Sequence, residues 1–132
     1  MKDKKISDAE AKQIAPRHQV NLRSSVLITA LAADESEDYY VLQGQLLDVS
    51  VSGLALIISN DDMLKLNELG DELKLRLLLP LPAQAIELEA VPVRYQKLNE
   101  GKAGKILLGA QITDMSGRDR ILFMDFIHQY EN

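Results

Sequence analysis

A carboxylate, a hydroxyl and a glycine stand close together between two apolar segments, at Asp48, Ser50 and Gly53. On an extended chain the side chains of Asp48 and Ser50 face the same way, because they lie two residues apart. Gly53 permits positive φ and lets another group come close to the backbone. Together they provide an acceptor for N–H groups, a hydroxyl donor for an anion and open space. The same residue types also favour a plain hairpin turn for local reasons, and these residues alone leave that alternative open.

Side chains that support catalysis or metal binding are sparse elsewhere. His18 and His128 are far apart and neither has the spacing of a metal-ligand pair, so each is interpreted as a surface side chain. Glu87 and Glu89 share one face of an alternating segment, where they are interpreted as solvated charges rather than an acid/base couple. The sequence has no glycine-rich phosphate loop and no nucleophile elbow. We therefore expect a binding protein rather than an enzyme, with no cofactor and no bound metal.

Alternating apolar residues predict about six β-strands at short spacing. Beyond Ala90 the apolar phase moves by one residue, to a set that begins with Val91. Such a slip is typical of a β-bulge, which bends a strand as barrels require. Pro92 in the same segment indicates an edge position or the bulge itself. The predicted strands lie within 26–31, 40–48, 54–58, 73–77, 86–95 and 106–113.

Two helices are predicted in addition to the strands. A short helix, capped within 60–62, runs to Leu66 and ends at Gly70. Ser116 and Asp119 have the spacing of a capping box, which begins a second helix over about 117–130. The apolar stripe of this helix comprises Leu122, Phe126 and Tyr130, flanked by Phe123 and Ile127. Such a stripe must cover an apolar surface, so the predicted fold is mainly β: an antiparallel barrel with a C-terminal α-helix.

The composition is that of one independent domain inside a cell. A chain of 132 residues with 46% hydrophobic residues can bury its own core. The absence of cysteine excludes disulfides, thiolate nucleophiles and cysteine-based metal sites, and it favours the cytoplasm. No apolar run approaches the roughly 18 residues that a membrane helix needs. The first residues lack the apolar segment of a signal peptide. We expect a cytoplasmic protein without membrane insertion.

The net charge of −5 is unevenly distributed. Residues 1–23 carry six lysines or arginines against three acidic residues, whereas the remaining residues carry nine against 17. An acidic body disfavours docking along DNA or RNA, where many phosphates must be neutralised. A basic arm can hold a small anion, or it can simply keep a terminus solvated. Because Pro16 stops any helix there, we predict a flexible arm over 1–15 and one domain over 16–132.

A D-x-S-x-x-G motif between two strands, preceded by a basic arm, resembles the PilZ domain family of bacterial cyclic di-GMP receptors. The similarity extends over roughly residues 15–130. Leu47–Leu54 matches the [DN]-x-S-x-x-G signature in full. Leu69–Leu75 looks like the family's fourth strand, which ends at Leu79–Pro80, and Leu108–Ile112 looks like its last strand. The resemblance therefore implies a six-stranded, split-barrel type of PilZ fold.

The N-terminal arginines depart from the family's pattern. Family members that bind the nucleotide carry R-x-x-x-R just before the first strand. Here Arg17 and Arg23 are six residues apart, and Asn21 or, on another alignment, Gln19 occupies the place of the second arginine. These amides can form neutral hydrogen bonds but lack the charged, planar guanidinium that suits phosphate and the O6/N7 edge of guanine. The arginine fork is therefore incomplete.

The resemblance implies a receptor or adaptor that couples cyclic di-GMP to motility, biofilm formation or a related output. Arg17 and Arg23 would hold phosphate and guanine, and Asp48, Ser50 and Gly53 would form the barrel side of the site. The nucleotide would order the arm, and an unknown protein partner would recognise the altered surface. The alternative is a degenerate PilZ domain that binds no nucleotide and acts as a protein–protein interaction module. Either would be a monomer or a homodimer.

Overall fold

A computed structural model describes residues 18–19, 25–33, 37–98 and 104–129, which form seven strands and two helices. The strands are β1 (His18–Gln19), β2 (Ser25–Ala32), β3 (Tyr39–Val49), β4 (Gly53–Ser59), β5 (Leu73–Pro80), β6 (Ala85–Leu98) and β7 (Lys105–Met115). The helices are α1 (Asn60–Glu68) and α2 (Gly117–His128). α1 therefore connects β4 to β5, and α2 follows the last strand.

Six of the strands close into an antiparallel barrel. Hydrogen-bonded neighbours follow the order β3, β2, β5, β6, β7 and β4, and a further pairing of β4 with β3 closes the ring. β1 pairs with the last residues of β3. The predicted fold class, a mainly β, six-stranded antiparallel barrel with a C-terminal helix, is confirmed.

Period-two alternation of leucine with polar residues explains the inner face of the barrel. In β5 the side chains of Leu73, Leu75, Leu77 and Leu79 are buried, whereas Lys74, Arg76 and Leu78 are exposed. Full burial of one leucine is worth about 1.5–3 kcal/mol. A slip of one residue would move all four leucines to the solvent side, so this pattern specifies the register as well as the face.

Two register shifts between β6 and β7 bend these long strands. Thr113 is the additional residue of β7 opposite Glu89 and Ala90, and Val93 is the additional residue of β6. The predicted bulge is therefore present. One register shift lies at Ala90, where the apolar phase changes, and the additional residue of β6 is Val93. Pro92 adjoins it and lies where β6 pairs with β7 alone, because the pairing of β6 with β5 ends at Ala90. The edge interpretation of this proline is confirmed, whereas the additional residue of the bulge is Val93 and not Pro92.

The N-cap of the short helix α1 lies one residue before the predicted range. Ser59, rather than a residue within 60–62, is the N-cap, and its Oγ accepts a hydrogen bond from the Asp62 N–H at 3.0 Å. The helix ends as predicted before Gly70, which has a φ of +118°. This left-handed conformation favours glycine, and the Gly70 N–H donates to the Asn67 carbonyl at 3.2 Å.

The terminal helix α2 is capped as predicted, but its buried stripe is rotated. The Ser116 Oγ accepts from the Asp119 N–H at 3.1 Å. Phe123, Phe126 and Ile127 are at most 3% exposed and join the barrel core, and α2 packs against β6. Leu122 is only half-buried, so it lies at the edge of the stripe that it was predicted to lead. The i, i+3, i+4 spacing of the buried residues is the usual one for a helix that covers a surface.

Several sequence-based predictions fall on residues outside the described part of the chain. They concern the N-terminal arm at 1–15, most of the charged turn at 34–38, the turn at 99–101 and Tyr130 at the end of α2. Within the described ranges, neither helix is long and apolar enough to cross a membrane.

Candidate functional site

A β-bulge near the end of β3 determines the direction of the Asp48 side chain. Up to Leu46 the even-numbered residues of β3 face the core, but the next core residue is Val49. The reversal occurs because the register with β4 shifts between Leu46 and Asp48, which leaves Leu47 as an additional residue. Strict alternation would have directed Asp48 into the apolar core. The bulge directs its carboxylate to the outer face of the barrel.

Strand β1 lies beside this carboxylate. Gln19 pairs with Asp48, and the preceding residue pairs with Val49. Because the same two residues of β3 also pair with β4, β1 and β4 occupy opposite edges of β3. The predicted site residues Arg17 and Arg23 lie outside the described residues. In sequence, Arg17 comes directly before His18, the first residue of β1.

The Ser50 hydroxyl is used inside the turn between β3 and β4. Ser50 is fully buried. Its Oγ accepts from the Gly53 N–H at 3.1 Å and the Ser52 N–H at 3.3 Å, and it donates to the Gly53 carbonyl at 3.2 Å. The Ser50 N–H donates to the same carbonyl at 2.7 Å. The expectation of an open hydroxyl donor beside Asp48 is therefore wrong, because the turn's own polar groups occupy this hydroxyl.

Gly53 serves close packing rather than an unusual backbone conformation. Its φ is not positive, so the first of the two reasons expected for this glycine is wrong. The second reason, a close approach, is confirmed. A Cβ atom added to Gly53 would lie 2.7 Å from the carbonyl oxygen of Ala110 in β7. The N–H of Ile112 in β7 also donates to the Ser52 carbonyl at 2.9 Å, so this turn is fastened to the neighbouring strand.

Small residues lie next to Asp48 on the two neighbouring strands. Asp48 pairs with Ala55 of β4, and Ala55 pairs with Gly109 of β7. Ala55 lies between the core residues Leu54 and Leu56 and is itself only 3% exposed, and Gly109 is buried too, so both small residues are covered. Sequence reasoning used Gly109 only as a strand marker and did not include Ala55. The available signal was the lack of a bulky side chain at these positions beside the motif.

The Glu87 and Glu89 pair forms surface interactions. Glu89 lies 3.8 Å from the Lys74 ammonium and 4.0 Å from the Arg76 guanidinium. The backbone N–H of Glu87 donates to the Asp119 carboxylate at 3.1 Å. These contacts agree with the interpretation of the pair as surface charges. Such exposed ion pairs contribute little, about 0–1 kcal/mol each.

An acidic groove elsewhere on the described surface disfavours a phosphate ligand. A groove of about 440 Å³ between β6, β7 and α2 includes the acidic residues Glu87, Glu89, Asp114 and Asp119 in its lining. Four carboxylates beside the single Arg76 would repel an anion. His128 is exposed at the end of α2, far along the chain from His18 in β1. Among the described residues, no group of three or more His, Cys, Asp or Glu side chains is arranged to hold a metal ion.

Two tyrosines have raised pKa values. The Tyr40 hydroxyl donates to the Asp62 carboxylate at 2.7 Å, which joins β3 to α1. This hydrogen bond, with smaller contributions from burial and the nearby carboxylates, raises the pKa of Tyr40 above 10.0. Burial raises the pKa of Tyr95. Both phenols therefore stay neutral at physiological pH and add no charge to the surface.

Residues 15–129 match the sequence model of the PilZ domain. The chain belongs to the PilZ domain family. The match covers the barrel, the D-x-S-x-x-G turn and α2, and it confirms the family that the motifs predicted. No curated protein sequence matches this chain.

Solved structures of PilZ proteins share the fold at low sequence identity. The PilZ domain of Escherichia coli YcgR with c-di-GMP has a TM-score of 0.55 and 17% identity, over 88% of each chain. The Borreliella burgdorferi PlzA protein in complex with c-di-GMP has a TM-score of 0.56 and 15% identity, over 100% of this chain and 60% of PlzA. The MrkH–c-di-GMP complex of K. pneumonia has a TM-score of 0.59 and 14% identity, over 88% and 52%. The chain thus spans about half to three-fifths of these two larger proteins.

Proposed function

We propose that this PilZ domain binds cyclic di-GMP on its outer surface, beside the turn from Asp48 to Gly53. The observation that carries the proposal is the register of β1 on β3. β1 lies beside Asp48, which the bulge directs outward, and in sequence Arg17 comes directly before β1. The c-di-GMP complexes of similarly folded PilZ proteins support the same ligand for this chain.

Each part of the site has a distinct task in this proposal. Arg17 and Arg23 supply guanidinium groups, which suit phosphates and the O6/N7 edge of guanine. The Asp48 carboxylate accepts hydrogen bonds from N–H groups of the ligand or of an arginine. Ser50 and Gly53 act indirectly: the hydroxyl braces the turn, and the glycine lets it pack against β7. In this proposal the arm provides the positive charge and the barrel provides the surface on which the nucleotide lies.

The proposed output is that of a receptor or adaptor, without catalysis. Binding would order the arginine segment against the barrel, and a protein partner would recognise the changed surface. In this way a cytoplasmic domain would couple the level of cyclic di-GMP to motility, biofilm formation or a related bacterial response. The arm carries the cations, so the switch depends on phosphate charge and should weaken as salt screens it.

Calorimetric titration with cyclic di-GMP at near-physiological salt tests the binding. Wild type should give a saturable heat, and cyclic di-AMP should bind more weakly because adenine lacks the O6 acceptor. Arg17→Ala should weaken binding about 10- to 150-fold, the equivalent of one lost charge-assisted bond of about 1.5–3 kcal/mol. Arg118→Ala is the matched control, an exposed arginine on α2 that should leave affinity unchanged. Absence of both heat and a shift in melting temperature at millimolar ligand would exclude the proposal.

An apolar strip on β2, β3 and β5 favours a second function, protein–protein interaction. Tyr39, Val41, Leu27 and Leu78 are 41–64% exposed on β3, β2 and β5, and Leu27 pairs directly with Leu78. Exposed apolar side chains grouped on one face of a sheet can form a binding surface, although Gln43 and Thr29 lie between the β3 residues and the Leu27–Leu78 pair. Sedimentation of wild type and Val41→Ser tests whether the strip mediates self-association. If the domain binds no nucleotide but dimerises through this strip, the interaction-module function replaces that of a receptor.

A further inference from the structure

The last residues of β6 have a sheet neighbour on one side only. β6 pairs with β5 as far as Ala90, whereas its pairing with β7 continues to Leu98. β5 turns away from it, because Leu73 and Lys74 at the start of β5 still pair with β2 but no longer with β6. The sheet therefore splits between β5 and β6. Within the described residues, the segment Tyr95–Leu98, called the β6 edge below, borders this split.

Two hydrogen bonds between β7 and β4 determine the direction of the backbone groups in β7. The Ile112 N–H donates to the Ser52 carbonyl at 2.9 Å, and the Asn60 N–H donates to the Gly104 carbonyl at 2.6 Å. In an antiparallel sheet, successive residues direct their N–H and C=O groups alternately to the two neighbouring strands. Even-numbered residues of β7 therefore bond to β4, and odd-numbered ones bond to β6.

The same alternation sorts the backbone groups of the β6 edge. Gln96 pairs with the odd-numbered Leu107, so its N–H and C=O groups bond to β7. Tyr95 and Lys97 pair with even-numbered residues, so their N–H and C=O groups point away from β7, towards the split. No strand of the described ranges pairs with them there. Each of these two exposed residues thus presents one donor and one acceptor to an additional strand.

Positive charge surrounds the β6 edge. Lys97 on β6 and Lys105 at the adjoining start of β7 are both exposed. The described residues at 93–98 and 104–109 include no aspartate or glutamate, and the acidic residues at 71–72 precede β5 on the other side of the split. An acidic strand would therefore be attracted to this edge. A second copy of the chain would add its own lysines, and like charges on neighbouring strands are destabilising.

We propose that the β6 edge binds an extended, acidic segment of a partner protein as an additional β-strand. Backbone hydrogen bonds to Tyr95 and Lys97 hold the segment, and its carboxylates lie beside Lys97 and Lys105. Apolar residues at alternate positions of the segment contact the Tyr95 ring, whose residue is 42% exposed. This binding does not depend on the nucleotide, and it uses a different surface from the apolar strip on β2, β3 and β5.

Amide hydrogen exchange of the isotopically labelled domain, followed by NMR, tests the strand pairing. The probe is a blocked peptide of about six residues, the usual length of a strand, in which glutamate and valine alternate. In the domain alone, the Gln96 amide should be protected, whereas the Tyr95 and Lys97 amides should exchange rapidly. Saturating peptide should slow exchange at Tyr95 and Lys97 by about 10-fold or more. A peptide with lysine in place of glutamate should have no such effect.

Two pairs of variants separate the contribution of charge from that of the backbone. Lys97→Glu should weaken binding of the acidic peptide about 5-fold, whereas Lys65→Glu, the same change on α1, should not. Tyr95→Pro removes an N–H of the edge but no hydrogen bond to β7, so it should bind about 2- to 10-fold more weakly than Tyr95→Val. Urea unfolding of every variant checks that the fold is kept.

Three results would overturn the proposal. The first is a lack of protection at Tyr95 and Lys97 with saturating acidic peptide, or equal binding of the acidic and lysine peptides. The second is slow exchange at Tyr95 and Lys97 in the dilute domain alone, which would show that another part of the chain covers the edge. The third is protection at these amides that rises with protein concentration without peptide, which would assign the edge to a second copy.

Discussion

Replacing Gly53 with alanine should destabilise the domain through a single backbone contact. The new Cβ would lie 2.7 Å from the Ala110 carbonyl oxygen, closer than such atoms approach in real structures. Because that oxygen belongs to the backbone of β7, β4 and β7 must separate rather than one side chain rotate. Overpacking of this kind costs about 1–3 kcal/mol, and the lower flexibility of the unfolded alanine chain returns about 0.4–1 kcal/mol. The net loss is therefore up to about 2.6 kcal/mol, and about 1.3 kcal/mol at the middle of both ranges.

The measurement is the free energy of unfolding from urea titrations of three matched glycine-to-alanine variants. Gly109→Ala meets Arg94 at ordinary contact distances of 3.7–3.9 Å and should be nearly neutral. Gly117→Ala meets no atom within 4 Å, and in the first turn of α2 it should stabilise by up to about 1 kcal/mol. If Gly53→Ala is as stable as wild type while the other two behave as stated, the close approach of β4 and β7 does not constrain this turn.

Three further predictions concern the turn, the helix and pH. Ser50→Ala should lower the free energy of unfolding by about 1–3 kcal/mol in urea titrations, because buried N–H groups of the turn lose their acceptor. Phe123→Ala should cost about 3–5 kcal/mol and Leu122→Ala clearly less, because only Phe123 is fully buried. Equal losses of stability in thermal unfolding would contradict the observed orientation of α2. The raised pKa of Tyr40 means that the native state holds the phenol proton more tightly than the unfolded state does. The contribution of this proton to stability is therefore complete below pH 10.0 and is lost as the pH rises through the raised pKa. Stability measured across this alkaline range should therefore fall less in Tyr40→Phe, and an unchanged fall would show that the hydrogen bond to Asp62 is not responsible.

The barrel was largely predictable because most of its strands carry apolar residues at every second position. The leucines of β5 and the charged residues between them indicate one strand with one wet face, and the structure has that arrangement. The limits of prediction appear in α2, where Leu122 and Phe123 both fit an apolar stripe. Only the position of β6 decides which of the two turns inward, and sequence spacing carries no information on that contact.

The candidate site was predictable in its motif but not in its geometry. Asp48 and Ser50, two residues apart, suggested parallel side chains, but the bulge at Leu47 and the turn give them different roles. The sequence signal for a bulge was used in β6, where the apolar phase slips, but the similar slip in β3, from Leu46 to Leu47 and Val49, was not used.

Backbone amide NMR of the isotopically labelled domain, titrated with cyclic di-GMP, tests the central claim most directly. The account predicts saturable shifts at Asp48 and the following turn, with little change at the Phe126 amide in α2. Saturable binding with shifts confined to α2 or to the apolar strip on β2, β3 and β5 would contradict the proposed site. A spectrum unchanged at millimolar nucleotide would contradict the receptor function itself.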